Sequence, residues 1–341
     1  MGAMVNPFTG TGYDIVALTA AINKLPNLYG RLEELGLFPV DGVTTTSVTV
    51  EQLNGTLNIV RSRPRGAAAD KAIADKRGLR VFAVPHVPLD DVVLPDEIQN
   101  VRAFGSDNAL EAQANVIARK LQKCKNMLDQ TLEYLRMGAL KGIILDADGS
   151  TIYQLYTEFG ITAKTVYFGL DDEDTDVTAK CLEVVRHIED HLFGDRMSGI
   201  RCLVSPEFFD AFTSHIAVAA AFKYYQNMQQ SLGQDYRSGF RFAGIIFEEY
   251  RASWTNQAGS TYKAITAELG HAFPEGTGET FKTVVAPGNF LETVNTVGQL
   301  YYAKQEARKF NQGLDIHTEM NALPICLRPE VLVKVSTAAS A

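Results

Sequence analysis

The chain has 341 residues, 46% of them hydrophobic and 21% charged, with a formal net charge of −8. That length exceeds the usual size of a single hydrophobic core, so two domains, interleaved or sequential, are expected, and the composition is that of an ordinary globular protein, neither disordered nor membrane-spanning. An acidic chain is poorly built to neutralise many phosphates, so any contact with DNA should be loose and nonspecific; the absence of an apolar run of about 18 residues and of a signal-peptide pattern points to a cytosolic protein without a membrane anchor.

Residues 1–45 hold one amphipathic segment, Tyr13 to Ile22, with Ile15, Leu18 and Ile22 at helical spacing and an end near Pro26. The remainder reads as an extended arm. Two strand-like runs follow, residues 46–62 and 78–93, rich in β-branched residues and partly alternating. Their connecting tip carries Arg61, Arg63, Arg65, Lys71, Lys76 and Arg77. A fifteen-residue ribbon would reach about 50 Å at roughly 3.3 Å per residue. Two strands alone are marginally stable in water. Such a ribbon therefore needs a surface to lie on, and self-assembly is the first expectation.

The strongest helical signal opens at Ser106 or Asp107 as N-cap and runs to about Arg136, with Gly138 beyond it. Leu110, Ile117, Leu121, Cys124, Leu128, Leu132 and Leu135 recur at steps of three, four and seven. That stripe predicts a core-facing helix; a coiled coil is the competing reading. Next, Ile143–Leu145, a turn at Asp146–Gly149, and Thr151–Tyr156 read as strand, turn, strand. Thr178–Phe193 predicts a helix with Leu182, Val185, Ile188 and Leu192 on its apolar side. Ser205 and Pro206 open another, running to about Gln229. Phe240–Tyr250 reads as one strand, and short strands separated by Gly and Pro follow to the end.

Candidates for chemistry are few. Ile143–Ser150 ends a strand in Asp-x-Asp-Gly-Ser, which resembles the nucleophile loop of haloacid-dehalogenase-type phosphatases, with Asp146 as nucleophile, Asp148 as acid and base, and the acidic run Asp171–Asp176 as a magnesium loop. Against this, a long helix and a hairpin precede the motif, the continuation is strand-like, and no lysine motif stands between the acidic sites. A hairpin turn is the plainer reading. His187 and His191 stand at i and i+4 without a third ligand, and a solvated helix face is expected. Cys124, Cys181, Cys202 and Cys326 lack CxxC spacing and should be small buried side chains. No Gly-x-Ser-x-Gly elbow and no Gly-rich phosphate loop follow a strand. Neither a cofactor nor a catalytic residue is assigned.

Segments spread along the whole chain then carry a resemblance: Phe82–Leu89, Leu140–Gly149, Phe240–Trp254, Ala272–Thr277, Ala286-Pro287, Glu292–Thr296 and Leu323–Pro329. In these the sequence resembles the major capsid protein of lambda-type tailed bacteriophages, the major capsid protein E family, whose fold is the Hong Kong 97-like capsid fold. The resemblance implies an α+β chain with an N-arm at 1–45, an extended β-hairpin loop at 46–93, a peripheral domain with a spine helix at 94–140, an axial domain at 141–285, and a return to the peripheral domain at 286–341. It implies a structural, non-enzymatic subunit of an icosahedral head, assembled in the host bacterial cytoplasm and kept in the virion. The implied partners are many copies of itself as hexamers and pentamers, a scaffolding protein, a portal, a decoration protein, and nonspecifically held double-stranded DNA. No room is left for a fused scaffolding segment before the arm, so a separate scaffold is expected. The basic tip residues are expected to meet acidic surface on an adjacent copy, near Asp171–Asp176; solvation is the alternative. The same fold can also build a non-viral compartment.

Overall fold

The structure is a computed structural model that describes residues 15–25, 30–53, 77–99, 109–231, 235, 237, 239–256 and 258–338. Its first half contains α1 (Ile15–Lys24), α2 (Arg31–Glu34), β1 (Val40–Gly42), β2 (Ser47–Leu53), β3 (Arg77–Ala83), β4 (Val87–Val93), α3 (Pro95–Gln99), α4 (Ala109–Lys141), β5 (Ile143–Leu145), β6 (Thr151–Gln154), α5 (Leu155–Phe159) and β7 (Lys164–Tyr167). Then come α6 (Val177–His191), β8 (Gly199–Val204), α7 (Pro206–Ser214), α8 (Ile216–Ser231), β9 (Phe240–Phe242), β10 (Ile245–Glu249), β11 (Ser253–Thr255) and β12 (Thr261–Lys263). The chain closes with β13 (Leu269–Glu275), β14 (Phe281–Val285), β15 (Tyr302–Ala307), β16 (Leu314–Met320), β17 (Ala322–Cys326) and β18 (Val333–Ser336).

Helix α4 is the beam on which one layer is built. Ile117, Leu121, Cys124, Leu128, Leu132 and Leu135 are buried, as the periodic stripe predicts. The helix packs on two three-stranded sheets, ordered β15-β16-β4 and β1-β14-β17. A second layer is the six-stranded mixed sheet β7-β18-β13-β8-β10-β9, covered by α6 and α7. Phe168, Phe208, Phe212 and Phe247 fill the space beneath those helices, with ring centroids 4.2 Å apart at the closest pair, Phe212 and Phe247. Consecutive strands pass between the layers, β13 and β18 lying in the six-stranded sheet and β14 and β17 in a sheet on α4, and the buried apolar residues form one core. The fold is therefore α+β, with the sheets joined by long-range returns.

Several elements differ from the sequence expectation, each for an identifiable physical reason. Helix α4 does not stop before Gly138 but runs to Lys141. The glycine that ends it is Gly142, at φ 76°, in the left-handed region that favours glycine. Gly138 serves another need: a Cβ there would lie 2.9 Å from the Ile143 carbonyl oxygen and 3.1 Å from the Ile144 Cα. The strand after the Asp146–Gly149 turn ends at Gln154, and the aromatic-containing α5 follows. The helix opened by Ser205, whose hydroxyl accepts from the Phe208 N–H, breaks at His215. There the backbone is extended at ψ 137°, and the imidazole Nε2 faces the Asp172 carbonyl at 3.1 Å while Nδ1 accepts from the Ala217 N–H. Residues 240–249 form a hairpin rather than one strand, because Ala243 and Gly244 both take positive φ, 44° and 91°. On α6 the buried face is Val177, Cys181, Val184 and Ile188, so Leu182 points outward instead.

Gly138→Ala separates these two glycine roles. Alanine favours a helix interior by about 1 kcal/mol, but the methyl group would collide with backbone that cannot swing aside. We expect a net destabilisation of about 1–3 kcal/mol, read as a lowered urea midpoint of the soluble subunit.

Candidate assembly surfaces

The ribbon is antiparallel from Ser47 opposite Ala83 to Leu53 opposite Arg77. Strand alternation gives it two faces. On the inner face Phe82 is buried, edge-on to Tyr153 at 5.2 Å and stacked on Phe159 at 6.0 Å. The Arg80 guanidinium lies 4.9 Å over the Phe159 ring, and the Tyr153 hydroxyl donates to the Ala83 carbonyl at 2.9 Å. On the outer face Leu79 and Val81 are each 66% exposed. The return strand ends at Ala83, not near 93. Pro85 has no N–H to give a ladder, and after it β4 joins another sheet, pairing with β16 from Val87 opposite Met320 to Val93 opposite Leu314.

Of the basic tip residues, Arg61, Arg63, Arg65, Lys71 and Lys76 lie outside the described residues. Arg77 opens β3 opposite Leu53, and its side chain also lies outside the description. The acidic run Asp171–Asp176 forms the connection between β7 and α6. Asp171, Asp172, Glu173 and Asp174 are exposed, and Asp176 is the α6 N-cap, its carboxylate accepting from the Ala179 N–H at 2.9 Å. The run thus presents negative charge at a helix entrance.

The phosphatase-like motif is a hairpin turn. The Asp146 N–H donates to the Ser150 carbonyl at 2.8 Å, the Gly149 N–H donates to the Asp146 carbonyl at 2.9 Å, and the Asp148 carboxylate accepts from the Ser150 N–H at 2.8 Å. Strands β5 and β6 are antiparallel, so Asp146 does not close a strand of a parallel sheet. His187 and His191 are half-buried rather than solvated: their rings sit 4.2 Å apart, His187 Nε2 is 3.0 Å from the Glu330 carbonyl, and His191 Nδ1 is 2.7 Å from the His187 carbonyl. All four cysteines are buried and unpaired.

Sequence reading missed a clamp that holds residues 30–42 to the body of the same chain. Arg31 reaches Glu248 through both Nε, at 2.6 Å, and a terminal nitrogen, at 3.1 Å. Glu248 also pairs with Arg201, which in turn pairs with Glu275. The Leu32 N–H and the Tyr250 hydroxyl both donate to Glu133 Oε1, at 2.8 and 3.0 Å, while Glu33 pairs with Arg136. Phe38 then packs edge-on to Phe281 at 5.3 Å, and β1 runs parallel to β14. These partners are 101 and 217 residues apart along the chain, and no local spacing announces such pairs.

Residues 14–337 match the family described as phage major capsid protein E. The chain belongs to that family. It is accordingly a major capsid protein of the tailed-phage and prophage type. It is 31% identical to the major capsid protein of Pseudomonas phage KPP10, over 96% of this chain and 98% of that one. It is 30% identical to the major capsid protein of Salmonella phage Felix O1, over 93% and 94%. Among solved structures, it is similar to a crystal structure described as a prophage capsid protein of E. coli CFT073, at a TM-score of 0.60, 15% identity, and coverage of 95% and 99%. It is also similar to the capsid of Myoviridae phage XM1, at 0.51, 9%, 92% and 93%. The fold is the Hong Kong 97-like capsid fold. Among the described residues no helix is long and apolar enough to cross a membrane.

The clamp of this capsid protein carries a pH signature. Burial pushes the Glu133 carboxyl above its ordinary 4.5, opposed by the hydrogen bonds from Leu32 and Tyr250 and by the charge of Arg136. The folded state then holds the proton more tightly than the unfolded state. Its contribution to stability is greatest below the unfolded value and is lost as pH rises through the native one. Glu133→Gln keeps an acceptor for both donors but cannot titrate. A series of urea midpoints from about pH 4.5 to 7 should fall less steeply for the variant than for the wild type.

Proposed function

We propose that many copies of this chain, grouped as hexamers and pentamers, close an icosahedral shell that encloses a double-stranded DNA genome. Family membership over residues 14–337 supports this reading, and the observation that carries it is the ribbon's uncovered outer face, with Leu79 and Val81 exposed on every copy. The ribbon is the extended loop that lies over a neighbouring subunit. Within the span 46–93, residues 87–93 pair with β16 of the body, and the described ribbon strands 47–53 and 77–83 belong to the loop. Residues 94–140 and 286–341 make the peripheral domain, with α4 as spine helix; residues 141–285 make the axial domain around the symmetry axes; the leading segment 1–45 is the N-arm. The role is geometric and not enzymatic. Each contact buries apolar surface worth about 25 cal/mol per Å² before ordering costs are subtracted. Repetition around closed symmetry turns such contacts into a strong container.

A separate scaffolding protein, a portal and a decoration protein complete the partner set, assembly takes place in the host bacterial cytoplasm, and DNA is held without sequence preference. Arg61, Arg63, Arg65, Lys71, Lys76 and Arg77 meet acidic surface of an adjacent copy, with the exposed Asp171–Asp174 stretch as their target. Surface charges of this kind guide register and association more than they add affinity.

Reversing three charges together, Arg61→Glu, Arg63→Glu and Arg65→Glu, tests the tip. Particle yield by electron microscopy should fall about tenfold or more while far-ultraviolet circular dichroism of the subunit stays unchanged. Undiminished particle yield would remove the tip from the interface.

A further inference from the structure

At the far end of the β15–β16 hairpin stands a large apolar side chain in solvent. Phe310 is 91% exposed, and its backbone holds φ 62° and ψ 19°; Asn311 beside it has φ 54°. Two successive non-glycine residues in the left-handed region are sparsely populated conformations that persist only where the surroundings enforce them. Here the Arg308 N–H donates to the Gly313 carbonyl at 3.0 Å and the Arg308 guanidinium pairs with Asp315 at 2.7 Å. The turn is built to hold Phe310 out, with Lys309 exposed at its side.

The same chain has a hollow of about 420 Å³ that such a knob would fit. Met127 and Tyr134 of α4, Trp254 of β11 and Tyr262 of β12 supply apolar and aromatic walls, and the Asp146 to Asp148 turn supplies the rim. Among the described residues no Lys or Arg lines it. The walls are braced: Tyr134 is edge-on to Trp254 at 5.4 Å, its hydroxyl donates to the Asp146 carbonyl at 3.2 Å, and the Asn256 amide donates to the Ala147 carbonyl at 3.1 Å.

Knob and hollow cannot meet within one molecule. Val87 to Leu89 of β4 line the hollow, whereas Val93, at the other end of that strand, pairs with Leu314 beside the hairpin tip. Four residues of strand separate the two ends by about 13 Å. We propose that Phe310 of one copy seats in the aromatic hollow of a neighbouring copy, with Lys309 against the Asp146 and Asp148 carboxylates. Aromatic anchors seated in pockets dominate many interfaces, and opposite charges at the rim fix register and specificity. The contact is head-to-tail, the kind that generates rings when the rotation closes. It rests on the shell reading above and assigns that reading a specific joint.

The test replaces Phe310 with the photoreactive Phe310→benzoylphenylalanine in particles made by the full chain together with its accompanying head genes. Irradiation should link position 310 to peptides containing residues 127–134, 146–148 or 254–262 of another copy. Crosslinks elsewhere on the chain, to another protein, or none at all in well-formed particles would overturn the joint and leave the shell reading intact. Failure of the wild-type chain to form particles would instead strike the shell reading itself. In parallel, Phe310→Asp should lower particle yield about tenfold or more with unchanged circular dichroism; equal yield would also overturn the joint.

Discussion

A two-stranded ribbon has two faces, and the body from which this one grows covers only one of them. Phe82, seated between Tyr153 and Phe159 with Arg80 closing over the same ring, fixes the base of the ribbon to the body. Full burial of such a side chain is worth about 1.5–3 kcal/mol. On the opposite face Leu79 and Val81 are each 66% exposed. Two exposed apolar side chains are unremarkable on most surfaces. On a free ribbon they matter more, because two strands alone cannot supply the missing layer. A second copy carries the same need and the same body, which is the condition for repetition.

Repetition requires rigid subunits, and the rest of the fold supplies rigidity. Helix α4 serves two sheets at once, so neither can shift without the other. The clamp through Arg31, Glu248, Arg201 and Glu275 ties the leading segment to β8, β10 and β13 with charges that are largely shielded from water. Breaking one partner of such a network strands the others, so the network specifies one arrangement more than it adds stability. Strand β18 sits inside the six-stranded sheet, between β7 and β13.

The sequence was legible where structure is local. The α4 stripe from Ile117 to Leu135, the Ser205 cap and the Asp146–Gly149 turn were all readable because periodicity and turn chemistry act over a few residues. Boundaries set by packing outside the element itself were not. Gly138 reads as a helix stop until the backbone of Ile143 and Ile144 is found packed on it. His215, where the helical pattern breaks, meets the Asp172 carbonyl, forty-three positions away. Leu182 completes an apolar stripe on paper, yet the buried face of α6 is rotated toward Cys181 and Val184. The candidate surfaces divide the same way: the ribbon could be anticipated from alternation, whereas the Arg31–Glu248 clamp, the exposure of Phe310 and the aromatic hollow depend on topology that no window of sequence contains.

The central claim is that the ribbon's outer face is covered by another copy. A reconstruction of the assembled particle by electron cryomicroscopy tests it directly. The account predicts Leu79 and Val81 within about 4.5 Å of apolar side chains of a neighbouring subunit. Particles in which that face borders solvent would contradict it.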